Sequence, residues 1–199
     1  MIDSYFRAPY QWLLIDPFLS KISALKISPH MYTACSLITG VAIAPVLFFG
    51  QSVIAVLLLL VSGFLDTLDG SVARAKQSAT STGAVFDIVS DRIVETAIIL
   101  GLFLYEPNSR ALLCLLMLGS ALICVTSFLV VGIFLENDSS KSFFYSPGII
   151  ERAEAFLFFG CMILFPSLFD FLSIGFILLV TLTACIRVRQ FHSSEESKL

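Results

Sequence analysis

Asp66-Thr67-Leu68-Asp69-Gly70-Ser71-Val72-Ala73-Arg74, then eight residues, then Gly83-Ala84-Val85-Phe86-Asp87-Ile88-Val89-Ser90-Asp91: this stretch decides how the chain folds. It carries four carboxylates between long apolar runs. Ionisable groups at membrane depth are unfavourable unless paired, hydrated or metal-bound, so such a cluster marks a functional site. On a helix, Asp66, Asp69, Gly70 and Ala73 fall at i, i+3, i+4 and i+7 and share a face. Gly83, Asp87 and Asp91, spaced by fours, form a second stripe. Two adjacent helices joined by a short turn would aim these stripes at each other, with Gly70, Ala73 and Gly83 leaving room for a ligand or a neighbouring backbone.

Working outward, 57% of the 199 residues are hydrophobic and only 14% are charged, against about 25% charged in soluble domains. The fold class is therefore an all-α integral membrane protein. Apolar runs cover Met31 to Phe49, Ser52 into the acidic stretch, about Gly83 to Tyr105, about Ala111 to Leu135, about Ile149 to Phe165, and Phe171 to Ile186. They predict six transmembrane helices, and the charge-free run from Met31 to Phe49 is long enough to cross roughly 30 Å of hydrocarbon. Gly50-Gln51 reads as a tight turn and Glu106-Pro107-Asn108-Ser109 as a loop.

Ahead of the first span, Phe18, Ile22 and Leu25 make an apolar stripe with Lys21 and Lys26 off it, and Tyr5, Tyr10 and Trp12 precede it. Residues 1–27 thus read as an N-terminal interfacial amphipathic helix, interrupted at Pro17, with no secretory signal peptide. Residues 28–190 form the six-helix membrane domain, and 191–199 a polar, disordered tail with an exposed His192. With six spans, Arg110 lies alone on one side and the other eleven Lys and Arg fall on or toward the opposite side, so both termini and the acidic loop face the cytoplasm.

The net charge of −3 says little about partners, because five of the fifteen acidic residues, Asp66, Asp69, Asp87, Asp91 and Glu95, lie in or beside the cluster. Lys and Arg are scattered, which excludes a nucleic-acid surface. The five cysteines (Cys35, Cys114, Cys124, Cys161, Cys185) lie in apolar spans and read as small hydrophobes rather than disulfides or zinc ligands.

Four converging carboxylates in a low-dielectric site repel one another, and divalent cations relieve this best. An all-oxygen ligand set favours Mg²⁺ or Mn²⁺, with Ca²⁺ an alternative, over zinc. Four Asp match the charge of two ions, the arrangement that serves phosphoryl transfer, and Arg74 is placed to meet a phosphate. A hydrated structural cluster, a divalent-cation transporter and an intramembrane Mg-diphosphate prenyltransferase are the alternatives.

Asp66-x2-Asp69-Gly70-x2-Ala73-Arg74-x8-Gly83-x3-Asp87-x3-Asp91 resembles the signature of the CDP-alcohol phosphotransferase family at all eight fixed positions, and Pro29-x3-Thr33 is similar to the Pro-Asn-x2-Thr that opens the family's first span, with His30 in place of Asn. The resemblance implies transfer of a phosphatidyl-type group from a CDP-alcohol, usually CDP-diacylglycerol, to the hydroxyl of a small polar acceptor, with release of CMP. It implies that Asp66, Asp69 and Asp87 bind two metal ions with Asp91 on or near the second, and that Asp91 is the catalytic base. Gly70, Ala73 and Arg74 would line the CDP-alcohol pocket, with Gly83 packed beside it, in a homodimer whose site opens to the cytoplasm. Arg92, Arg152 and Arg187 are candidate acceptor-binding cations, each with a plainer role as a counter-charge or topology anchor, as has Arg189. Glu95 continues the second stripe and reads as a supporting or packing group. Asp91-Arg92 resembles inositol-phosphate-type members, although glycerol 3-phosphate and other acceptors stay open.

Overall fold

A computed structural model describes residue 17 and residues 28–78, 80–134 and 148–196, with side chains to 193. The expected interfacial helix at 1–27 lies outside the described residues except for Pro17. The described chain is helical: α1 Pro29–Val41, α2 Ile43–Phe48, α3 Ser52–Ala75, α4 Ser81–Tyr105, α5 Pro107–Phe134, α6 Arg152–Leu164, a 3₁₀ turn Pro166–Leu168, and α7 Phe169–Glu196.

The first expected span is two helices in line. Pro45 has no N–H to give to Val41, and its ring crowds that carbonyl, so the helix breaks at Ala42 and restarts. Gly50, at φ 73°, then reverses the chain into α3. The loop expected at residues 106–109 is shorter than its composition suggests. Only Glu106 separates α4 from α5, because Pro107 suits a first helical position, where a missing N–H has no consequence.

The tail boundary at 190 also moves, since α7 continues through Glu196. Arg187 to Glu196 contains no Gly or Pro to stop a helix, and polar residues alone do not stop one.

Among the described residues, four helical stretches are long and apolar enough to cross a membrane: Pro29–Phe48, Ser52–Ala75, Pro107–Phe134 and Pro166–Ser193. The chain is an integral membrane protein. Of the two other expected spans, α4 has 25 residues but carries Asp87, Asp91, Arg92 and Glu95 in its first half, and α6 has only 13.

The acidic helices α3 and α4 both pack on the α1–α2 pair, and α6 joins α3 to α7, which in turn lies along α5. Their shared core is Ile43, Leu47, Leu59, Ile98, Leu102, Met117, Phe159, Met162 and Phe176. At Gly101 a Cβ would stand 2.9 Å from the Cα of Ala44, so α2 crosses α4 with backbones in near contact. Ser36 and Ser62 lock α1 to α3 by reciprocal hydrogen bonds, each hydroxyl donating to the other residue's carbonyl at 2.8 and 2.9 Å. These contacts bring the Asp66–Asp69 turn of α3 and the Asp87–Asp91 turn of α4 to the same end of the bundle.

At the far end of α4, Arg110 is 2% exposed. It pairs with Glu106 at 3.4 Å and lies over the rings of Tyr105 and Phe169 at 4.9 and 4.2 Å.

Candidate active site

Helices α3 and α4 are joined by a short connection in which Gln77 takes a positive φ of 50°. Thr80 caps α4, accepting from the Gly83 N–H at 3.1 Å. The hairpin turns the two stripes toward each other as their spacing predicts. One oxygen each from Asp66, Asp69 and Asp87 lies within 4.8 Å of the others. Asp69 is buried, and Thr33 of α1 donates to its Oδ2 at 2.5 Å. Asp87 Oδ1 is buried without a hydrogen-bond partner.

Three converging carboxylates, one of which has an oxygen lacking any donor, fit a hard divalent cation. Such an ion would offset the mutual repulsion of the three groups and satisfy the orphaned oxygen. The absence of nitrogen or sulfur ligands favours Mg²⁺ or Mn²⁺.

Asp91 sits to one side of this trio and is tied to it through Arg152, the first residue of α6. The Arg152 guanidinium forms ion pairs with both Asp66 and Asp91, the latter at 2.7 Å. The Asp91 contact is close but not aligned as a hydrogen bond, and Asp91 Oδ1 has no such partner. One candidate acceptor cation is thus brought directly onto the acidic cluster.

The other two lie apart. Arg92 is engaged by Glu95 on its own helix. Arg187 is buried on α7 and donates to the Cys124 carbonyl at 3.3 Å and its Sγ at 3.4 Å, with the Phe128 ring 5.2 Å away. Arg92, Glu95 and Val125 share a half-open cavity of about 150 Å³ between α4 and α5. Cys124, Arg187's partner, precedes Val125 on α5.

The residues expected to meet the nucleotide occupy the outer half of the hairpin. Arg74 is exposed, donates to Ser71 Oγ at 3.1 Å and folds back over Gly70, where a Cβ would stand 3.3 Å from its Nη1. Ala73 is half-buried beside it. Gly83 faces His30, whose Cε1 would lie 3.3 Å from an added Cβ, so the His30 position borders this surface.

Two features escaped the sequence reading. The Thr33 hydroxyl bonds a ligand carboxylate, and Arg152 is shared by two Asp residues on different helices. Pro29-x3-Thr33 did single out Thr33, but no spacing rule links it to a residue 36 positions away.

Residues 26–188 match the family model for CDP-alcohol phosphatidyltransferase. The chain is 30% identical over 150 residues to "Inner membrane protein YnjF" of Escherichia coli, covering 72% of each sequence. It is 26% identical over 158 residues to the phosphatidylinositol phosphate synthase of Corynebacterium glutamicum, covering 77% of this chain and 70% of that one. In structure it resembles the phosphatidylinositol phosphate synthase PgsA1 of Mycobacterium tuberculosis, solved with CDP-DAG bound, with a TM-score of 0.66 at 23% identity, covering 89% of this chain and 90% of that one. A second PgsA1 structure, in complex with manganese and citrate, also has a TM-score of 0.66. A match of this extent leaves no place for the prenyltransferase or the transporter: the chain belongs to the CDP-alcohol phosphatidyltransferase family, enzymes that transfer substituted phosphate groups in phospholipid synthesis.

Proposed function

We propose that this enzyme transfers the phosphatidyl group of CDP-diacylglycerol to a hydroxyl of a phosphorylated polyol of the inositol-phosphate type, releasing CMP. The observation that carries the reading is the family's acidic motif folded into one site, with three carboxylate oxygens within 4.8 Å and Arg152 beside them. The choice of acceptor is supported by the named activity of the Corynebacterium relative and by two arginines near the acidic end of the bundle, the half-buried Arg152 and the buried Arg187. A phosphorylated acceptor offers each an anion to bind.

Asp66, Asp69 and Asp87 would hold the metal ions, with Asp91 on or near the second. When bound, two Mg²⁺ or Mn²⁺ ions neutralise the diphosphate and the charge that develops on it during transfer. Thr33 keeps Asp69 in its ligating orientation. Arg74, Gly70 and Ala73 present an open, cationic surface to the cytidine diphosphate, with Gly83 packed at its edge.

In the reaction, the acceptor oxygen attacks the phosphorus that carries the lipid, and the bond from that phosphorus to the CMP oxygen breaks. The acceptor proton passes to an oxygen of Asp91, and CMP leaves with the bonding electron pair. An ordinary carboxylate, with a pKa near 3.9, is too weak a base to take an alcohol proton before attack, so the transfer is concerted with bond formation to phosphorus.

The six-span arrangement, the homodimer and the cytoplasmic placement of site and termini belong to the same proposal, the last supported by the bias of Lys and Arg. The test is CMP release by purified protein from CDP-diacylglycerol with Mg²⁺ or Mn²⁺ against inositol 1-phosphate, glycerol 3-phosphate, inositol and serine. Turnover with inositol 1-phosphate well above the other three is expected. Turnover with unphosphorylated acceptors alone would overturn the acceptor assignment, and no CMP with any acceptor or metal would overturn the donor assignment.

A further inference from the structure

The first turn of α6 is seated on α7 by contacts that take no part in the transfer itself. Thr183 is fully buried, and its hydroxyl donates back to the Leu179 carbonyl at 2.9 Å. With its proton committed, the oxygen is left as an acceptor and receives the Ile150 N–H at 3.2 Å. Two residues earlier, the buried Gly148 donates its N–H to Glu151 Oε1 at 3.3 Å, and Glu151 caps α6 in a reciprocal capping box with Glu154. A Cβ on Gly148 would collide with Thr183 Cγ2 and come within 3.2 Å of Arg187 Nη2. The segment 148–151 therefore lies flat on α7 and forms a clasp between the two helices.

Both arginines assigned to the acceptor leave from this clasp. Arg152 follows directly and reaches Asp66 and Asp91. Arg187 stands four residues after Thr183, on the same face of α7, and reaches α5 at Cys124. Arg152 reaches toward α3 and α4 and Arg187 toward α5, while the strands of chain that carry them meet at the Ile150–Thr183 hydrogen bond. That bond, with the close approach at Gly148, fixes the backbones from which the two side chains leave.

We propose that Thr183 is a positioning residue for acceptor recognition, acting through the Ile150 N–H to hold the start of α6, and with it Arg152, in place against the part of α7 that carries Arg187. This rests on the reading that these arginines bind the acceptor's phosphate. Charge-assisted contacts to phosphate have a narrow distance range, so a small displacement of α6 against α7 weakens both at once. The donor side belongs to α3 and α4, and of the three carboxylates assigned to the metal ions Asp66 alone pairs with Arg152, so the clasp bears first on the acceptor arginines.

The variants Thr183→Val, which keeps shape but not the acceptor oxygen, and Thr183→Ser, which keeps the oxygen, separate this role from packing. Steady-state kinetics with inositol 1-phosphate and CDP-diacylglycerol, with the thermal midpoint in detergent measured alongside, should show the acceptor KM of Thr183→Val raised about tenfold, the donor KM within about twofold, and Thr183→Ser close to the parent. Gly148→Ala, which pushes the segment off α7, should show the same split and serves if the valine variant does not fold. An unchanged acceptor KM, equal damage in the serine variant, or a joint rise of both KM values would overturn the positioning role. Arg152→Ala and Arg187→Ala keep the two ideas apart. If neither raises the acceptor KM, the phosphate assignment falls and the clasp's role falls with it; if both do and the Thr183 and Gly148 variants do not, the clasp alone falls.

Discussion

Asp91 and Thr33 are the residues on which the chemistry turns in different ways. Asp91→Asn keeps the shape of the side chain and removes the charge. It should leave a folded, membrane-inserted protein with almost no CMP release, measured against CDP-diacylglycerol and acceptor; near-parental release would remove Asp91 as the base. Thr33 contributes one hydrogen bond to a carboxylate that must face a cation. Outer partners of metal ligands are typically worth 10- to 100-fold in metal affinity, so Thr33→Val should raise the Mn²⁺ concentration for half-maximal activity by about tenfold, and Thr33→Ser should restore most of it. The eight motif residues were legible because their spacing is local and helical, and one turn of arithmetic places them. Thr33 and Arg152 were not legible as partners of Asp69, Asp66 and Asp91, since those contacts join residues 36 to 86 positions apart and depend on how four helices pack.

Among the elements, α4 does two jobs: its first half carries the carboxylates assigned above to the candidate site, and its second half is core. Gly101, in that second half, is where α2 comes closest. Its replacement by Ala would put a methyl 2.9 Å from backbone, which a side-chain rotation cannot relieve, so Gly101→Ala should destabilise the protein by about 1–3 kcal/mol, seen as a lower thermal midpoint in detergent. The metal requirement of the surviving folded fraction should not change, because the site is several turns away. The apolar runs located these elements to within a few residues, since hydrophobic length is a strong signal. What they missed follows from signals that hydropathy does not contain: Pro45 breaking the first span, Pro107 starting a helix where a loop was expected, and the uninterrupted polar continuation of α7.

For the whole molecule, the testable quantity is sidedness. A reporter fused after residue 199 should read as cytoplasmic, and a cysteine placed at Asn108 should react with an impermeant thiol reagent only from the opposite side, in a variant whose five native cysteines are replaced. Labelling of Asn108→Cys from the cytoplasm would reverse the proposed orientation. The buried Arg110 has a further consequence here. Between Asp87 and Tyr105, α4 rises by about 27 Å at 1.5 Å per residue, close to the roughly 30 Å thickness of a hydrocarbon layer. With the acids at one end and Arg110, wedged between Tyr105 and Phe169, at the other, sinking or rising by one turn would drag a charged group into the oil. On the proposed six-span arrangement the protein would carry a waterline at each face of the bilayer, with the acidic cluster at the level where a lipid's own phosphates lie, so that a membrane-bound donor would reach it by lateral diffusion without being lifted from its leaflet.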